Sequence, residues 1–132
     1  MTKLLSLSPK ATAYSSFVRF ESESIEGVLV TIRRMSLGRR MELARELRPL
    51  GGRLEYEDAG RGVSDKIEAA LTAAEIDAIY LRWGLVSVDG LTLDGEYPSQ
   101  DEVIAKAPDD FVREVLDRIK AECGLSEEER KN

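Results

Sequence analysis

The chain has 132 residues, a net charge of −6, a single cysteine and no histidine. A chain of this length can bury about two-thirds of its unfolded surface in one domain, so it needs neither disulfides nor a structural metal. Without histidine it lacks the commonest general base and metal ligand, which argues against most metalloenzymes.

The N-terminal segment, residues 1–15, mixes leucines with serine, threonine and proline, and predicts a flexible arm. It has no secretory signal pattern, and no apolar run in the chain approaches the ~20 residues of a membrane span. We therefore expect a soluble cytoplasmic protein whose lone Cys123 stays reduced. Residues 16–125 are predicted to form one globular domain, and residues 126–132 a charged tail.

Two segments rich in β-branched and aromatic residues follow the arm, Phe17 to Phe20 and Gly27 to Arg34. In the second, Val28, Val30 and Ile32 alternate with Leu29, Thr31 and Arg33, as expected for a half-buried strand. The polar residues between the segments leave room for a loop. The pattern predicts an N-terminal β-hairpin.

An amphipathic helix is predicted from Ser36, as N-cap, to residue 48. Its apolar stripe consists of Leu37, Met41, Ala44 and Leu47, with Leu43 beside them. Pro49 and Gly51-Gly52 predict the end of this helix, and the polar residues 53–62 predict a surface loop. The arginines alternate with glutamates and no aromatic is interleaved for base stacking, so nucleic acid is not an expected partner.

The next helical segment has two predicted parts. Ser64-Asp65 opens a short piece through Ala70, with Ile67 and Leu71 facing inward. Thr72 and Glu75 then form a capping box that starts a helix at Ala73; the cap favours a break, the alanine-rich run favours continuity, and both remain open. Gly84 is predicted to end the helix in a left-handed conformation. The inward face, placed at the centre of the core, holds Ile76, Ile79, Tyr80 and Trp83, although the two aromatics could instead anchor a partner.

A second small hairpin is predicted at about residues 85–94. Val86 and Val88 alternate with serine, Leu91 and Leu93 with threonine, around Asp89-Gly90, a dipeptide typical of a two-residue turn. A further turn is predicted at Asp94-Gly95.

Two helices complete the domain. Ser99 and Glu102 form a capping box for a helix to Ala107, and Pro108 suits the first turn of the next helix, which Gly124 ends. The buried stripe of the last helix is predicted to be Phe111, Val112, Val115, Leu116 and Ile119. The fold class is therefore α+β: an N-terminal hairpin and a second small hairpin packed with four to five amphipathic helices.

No catalytic, cofactor-binding or metal-binding residue is predicted. From Asp89, the third and fifth positions of a calcium loop would fall on Leu91 and Leu93, which carry no oxygen ligand, and no glycine cluster has the spacing of a phosphate loop. Cys123 lies beside Glu122, without the positive field that activates a thiol.

Three stretches together resemble the tail assembly chaperones of long-tailed bacteriophages: VLVTIRRMSLGRRMEL, AAEIDAIYLRWGLVSVDGLTLDG and DDFVREVLDRIKAECGLSEEERKN. The likeness covers most of residues 26–132 and is one of order and spacing. It implies a non-enzymatic helper that binds the tape measure protein, a long hydrophobic helical chain, and keeps it soluble while the tube protein, a further candidate partner, polymerises around it.

The predicted partner-binding residues are Leu5, Leu7, Leu37, Met41 and Leu47, which we expect to form an apolar groove for the helical partner. Residues 1–53 carry 10 basic and 5 acidic side chains, or +5, and residues 54–132 carry 9 and 20, or −11. This asymmetry favours self-association of complementary faces. Two alternatives are a virion structural or adaptor protein and a small nucleic-acid-binding regulator.

Overall fold

The computed structural model describes residues 10–125 and Arg130. Within them the fold is mixed α+β, with three antiparallel strands and four helices. In chain order the elements are β1 (Phe17–Glu21), β2 (Leu29–Arg33), α1 (Leu37–Asp58), α2 (Val63–Gly84), β3 (Leu85–Asp89), α3 (Gln100–Lys106) and α4 (Asp109–Glu122).

The N-terminal hairpin is confirmed. β1 and β2 pair antiparallel, with Phe17 opposite Arg33 and Glu21 opposite Leu29. The predicted inward residues Val28, Val30 and Ile32 are fully buried and Leu29 is exposed, but Thr31, predicted to face outward, is buried as well. The loop between the strands is held by Glu114 of α4, whose carboxylate accepts hydrogen bonds from Ser22 Oγ at 2.6 Å and from the Glu23 amide at 2.6 Å.

Of the predicted second hairpin at 85–94, the first strand is present as β3, but it does not pair with the residues that follow Gly90. β3 pairs with β2 in the sheet order β1-β2-β3, so that Val88 lies opposite Val30. Pairing with the free edge of β2 places β3 beside a buried strand, whereas the short segment after Gly90 provides no such neighbour. The two-residue turn forms at Asp94-Gly95 instead: both residues have positive φ, 53° and 83°, and Leu93 and Glu96 exchange backbone hydrogen bonds of 2.8 and 3.1 Å.

Helix α1 begins where expected and ends ten residues later than expected. Ser36 caps it by accepting a hydrogen bond from the Arg39 amide at 3.3 Å, but the helix continues through Pro49 and Gly51-Gly52 to Asp58, so the predicted loop from residue 53 is largely helical. Its inward side consists of Leu43, Leu47, Leu50 and Leu54. Packing of this side along α2 outweighs the local cost of the proline and the glycines.

Helix α2 is one continuous helix, and a helix start at Ala73 is wrong. Thr72 is buried in mid-helix, and its hydroxyl donates to Glu57 Oε1 of α1 at 2.6 Å. Glu75 forms an ion pair with Arg53 of α1 at 2.8 Å. Both residues of the predicted capping box therefore join α1 to α2.

Replacing Thr72 with valine is expected to lower the free energy of unfolding by about 1 kcal/mol, because the shape is kept while Glu57 loses its donor. Urea denaturation measures the difference. Glu57→Gln is the matched control: its amide oxygen can still accept from Thr72, so it should cost less. A Thr72→Val variant as stable as the wild type would contradict the role of this hydrogen bond.

The α2 helix ends at Gly84 as predicted, but for a different reason. Gly84 is not among the glycines with positive φ. A Cβ atom at this position would lie 2.6 Å from Cγ2 of the fully buried Ile119. Glycine is therefore needed at this point for the close approach of α4 to α2.

The last two helices follow the sequence closely. Ser99 and Glu102 form the reciprocal capping box of α3, and α4 follows Pro108 and ends before Gly124, whose φ is +81°. Phe111, Val115 and Ile119 are fully buried, and Val112 and Leu116 pack against the same core. Trp83 belongs to this core, while Tyr80 packs at its edge.

Residues 10–15 have no regular secondary structure and are exposed, whereas the rest of the predicted arm, residues 1–9, lies outside the described residues. Of the predicted charged tail, only Arg130 is described. It is paired with Asp117 at 2.8 Å and donates to the Leu125 carbonyl at 3.0 Å.

Candidate partner-binding surfaces

The acidic residues from the end of β3 to the start of α3 have structural roles. Asp89 pairs with Arg19 at 3.2 Å, Asp94 forms the left-handed turn, and Glu102 caps α3. Within residues 10–125 and Arg130, no group of three or more acidic or cysteine side chains is placed to hold a metal ion. None of the helices in the same part of the chain combines the length and apolarity needed to cross a membrane.

Cys123 lies at the end of α4 and is buried in the core. Burial raises the pKa of its thiol to about 11, against a smaller opposing effect from the charge of Arg40. The thiolate is the reactive form of cysteine, so this side chain is inert near neutral pH.

The outward face of α1 is the first candidate surface. Leu37 is 76% exposed and Met41, one turn later, is 48% exposed, with Ala44 beside them. Arg40, Arg45 and Arg48 flank this face, and none of the three forms an ion pair with another described residue. We call it the α1 face, comprising Leu37, Met41, Ala44 and the three arginines.

The predicted partner-binding residues are divided by this arrangement. Leu37 and Met41 lie together on the α1 face. Leu47 is half-buried and packs against the core, so it does not share that surface. The single stripe inferred from the sequence therefore consists of two. Leu37 and Met41 face outward, whereas Leu43 and Leu47 face the core. Leu5 and Leu7 lie outside the described residues.

A second apolar surface lies on α2. Val63 is 77%, Ile67 62% and Leu71 54% exposed, which overturns the prediction that Ile67 and Leu71 face inward. They project from the first half of the helix, opposite the side that carries Thr72 and packs on α1. The sequence spacing identifies Ile67 and Leu71 as one apolar face, but periodicity alone does not show whether such a face packs in the core or meets solvent.

This α2 stripe leads into a groove of about 650 Å³ between α2, α3 and α4. Ala74, Ala78 and Leu81 contribute from α2, Ile104 from α3, and Val112 and Leu116 from α4. The charged residues along the groove form ion pairs within the chain: Asp77 with Lys120 at 3.0 Å, Asp109 with Arg113 at 2.6 Å, and Asp117 with Arg130 at 2.8 Å.

The pair between Lys120 and Asp77 is the most protected of these ion pairs. The Lys120 side chain is only 3% exposed, and its ammonium also lies 5.4 Å from the centre of the Tyr80 ring. A buried ammonium needs such partners, because removal from water is costly for a charge. The wall of the groove is thereby fixed in position.

Trp83 forms one side of a cleft of about 560 Å³ between α1 and α2, together with Glu42, Glu46, Ile79 and Arg82. Its indole Nε1 is buried and has no hydrogen-bond acceptor among the described residues. The cleft lies where the N-terminal half of α1 runs beside the C-terminal half of α2.

Comparisons with known proteins identify no relative of this chain: no family model matches it, and no curated protein or solved structure is detectably similar.

Proposed function

We propose that this chain is a non-enzymatic tail assembly chaperone of a long-tailed bacteriophage. It acts in the cytoplasm of the infected host, where it binds the tape measure protein and keeps it soluble while the tube protein polymerises around it. The observation that supports this role is the α1 face, where Leu37 and Met41 are exposed on a helix whose other side is occupied by α2.

The α1 face has the residue spacing of a helix-binding surface. Leu37, Met41 and Ala44 follow each other at spacings of four and three residues, which is the spacing of a ridge on a helix. An amphipathic client helix presents apolar side chains at the same intervals and can pack against such a ridge. A long client with many such segments would engage many copies.

The arginines around this ridge suit a protein client. Their aliphatic stems extend the apolar surface, while their guanidinium groups remain in water and can bind carboxylates or helix carbonyl ends of the client. A chaperone must also release its client, and an apolar contact of this limited size with a polar rim is typical of transient complexes.

Co-expression with the tape measure protein of the same phage tests the proposal. We expect the tape measure protein to become soluble and to co-purify with the wild-type chain. The double variant Leu37→Asp, Met41→Asp should retain at most about a tenth of the client, because each aspartate places a charge in an apolar contact.

The matched control is Tyr97→Asp, which changes an exposed aromatic beside the Asp94-Gly95 turn, away from α1. It should bind the client as the wild type does. The proposal fails if the double variant, shown by circular dichroism to be folded, still holds the tape measure protein. It also fails if the chain is a stoichiometric component of purified virions, since a chaperone leaves before assembly is complete.

A further inference from the structure

The outward side of α2 carries large apolar side chains in its first half and small ones in its second half. In the first half, Val63, Ile67 and Leu71 project into solvent. In the second half, Ala74 and Ala78 are small and α3 and α4 rise beside them, so the same side of the helix forms the floor of the groove. One half of α2 therefore supplies projecting apolar side chains, and the other half supplies a recess.

We propose that two copies of this chain form a symmetric dimer through α2, with the two α2 helices antiparallel. In this arrangement the projecting residues of each copy enter the groove of the other copy. Val63 and Ile67 pack over Ala74, Ala78 and Leu81 of the other copy. The two-fold axis passes close to Leu71, so Leu71 of one copy contacts Leu71 of the other.

The shape of α2 is what selects a second copy as the occupant. A two-fold contact uses the same patch on both subunits, so the patch must be complementary to itself. An antiparallel pair satisfies this condition because it places the first half of one helix on the second half of the other. Alanines at the recessed positions allow the two helices to approach closely, and the larger side chains fill the space.

Charge complementarity supports the same arrangement. Lys66 is exposed and forms no ion pair with another described residue. Asp77 lies eleven residues further along, just over three turns, and therefore on the same side of the helix. In the antiparallel pair, each Lys66 reaches Asp77 of the other copy, whose carboxylate is 38% exposed and has a second oxygen besides the one that Lys120 contacts.

The groove itself does not oppose the contact. Its three acidic and three basic side chains are already paired with each other in the chain, so it presents no net charge to Val63 and Ile67. The dimer leaves the α1 face free. It goes beyond the proposed function, and either could fail without the other.

Sedimentation equilibrium of the full chain tests the dimer. The wild type is expected to sediment as a dimer at micromolar concentrations, and Ile67→Glu should raise the dissociation constant by about a hundredfold, because the substitution enters the interface twice. Tyr97→Glu, an equally drastic change at an exposed residue outside α2, should leave the dissociation constant unchanged.

A cysteine at the predicted axis gives a second, independent measurement. Leu71→Cys should form an intermolecular disulfide under mild oxidation, whereas the wild type should not, because Cys123 is buried. A monomeric wild type overturns the proposal, as does an Ile67→Glu variant that remains dimeric. Failure of Leu71→Cys to cross-link also overturns it, and so does dissociation of the dimer by Leu37→Asp, which would place the interface on the α1 face.

Discussion

Replacing Glu114 with glutamine is expected to lower the free energy of unfolding by about 2–3 kcal/mol near pH 7. The carboxylate accepts hydrogen bonds from Ser22 Oγ, the Glu23 amide and Ser24 Oγ at 2.6, 2.6 and 2.7 Å, and so attaches the β1–β2 loop to α4. Bonds to an ionised acceptor are the stronger kind, and a neutral amide has only one accepting oxygen. Urea denaturation of both proteins gives the difference.

This contribution should depend on pH. Partial burial raises the pKa of the Glu114 carboxyl, but the hydrogen bonds from Ser22, Glu23 and Ser24 together lower it by more, so the net pKa lies below its usual value. A group whose pKa is lower in the folded state stabilises the fold fully above its unfolded pKa, about 4.3 for glutamate. The stabilisation is lost as the pH falls through the folded-state pKa.

The difference between the wild type and Glu114→Gln should therefore be constant from pH 7 to about 5 and should shrink towards pH 3. Glu96→Gln, which removes an exposed carboxylate beside the Asp94-Gly95 turn, is the control and should show little difference over this range. A difference between wild type and Glu114→Gln that does not change with pH would show that the carboxylate charge is not the source of the stabilisation.

Replacing Gly84 with alanine is expected to lower the free energy of unfolding by about 1–3 kcal/mol, which is typical of overpacking a core. The new Cβ would lie 2.6 Å from Cγ2 and 2.9 Å from Cδ1 of Ile119. Ile119 is fully buried, so it cannot move away without disturbing its own neighbours.

The same substitution at Gly51 is the matched control. Gly51 lies within α1, and a Cβ added there has no neighbour within 4 Å beyond the adjacent backbone of its own helix. Gly51→Ala should raise the free energy of unfolding by about 0.5–1 kcal/mol, because alanine favours a helix over glycine. Thermal or urea unfolding of the two variants should thus show opposite signs. A neutral Gly84→Ala would mean that α2 and α4 are not in tight contact.

The parts of the fold that could be predicted are those where local and tertiary signals agree. The alternation through Val28, Val30 and Ile32, the capping box of Ser99 and the stripe from Phe111 to Ile119 each describe both a local conformation and its buried side. In these segments the conformation that the local sequence favours is also the one that packs against the rest of the fold.

The errors arose where a tertiary contact overrides a local signal. Thr72 and Glu75 fit a helix start, but their partners Glu57 and Arg53 are distant in sequence. Pro49 signals a helix end, whereas Leu50 and Leu54 continue the apolar stripe of α1. This stripe extends the helix beyond Pro49 only because α2 is there to pack against it. The β3 strand likewise pairs with β2, because an existing sheet edge competes with a local hairpin.

The same limit applies to the candidate surfaces. Periodicity predicts both Leu37 and Leu47 on the partner-binding stripe, yet the packing of α1 on α2 exposes the first and half-buries the second. Periodicity identifies the apolar positions on a helix, but which of them meet solvent depends on where the neighbouring helix packs.

The position of the single tryptophan provides an intrinsic optical probe of the α1–α2 pair. Trp83 lies between these helices, and its indole N–H has no acceptor among the described residues. Two glutamates and an arginine line the same cleft. Indole emission shifts to the red when water reaches the ring. Fluorescence spectra recorded during unfolding would therefore report entry of water between α1 and α2 without any added dye. Comparison with far-ultraviolet dichroism, which in this chain follows mainly helix content, would reveal whether the pair separates before its helices unfold.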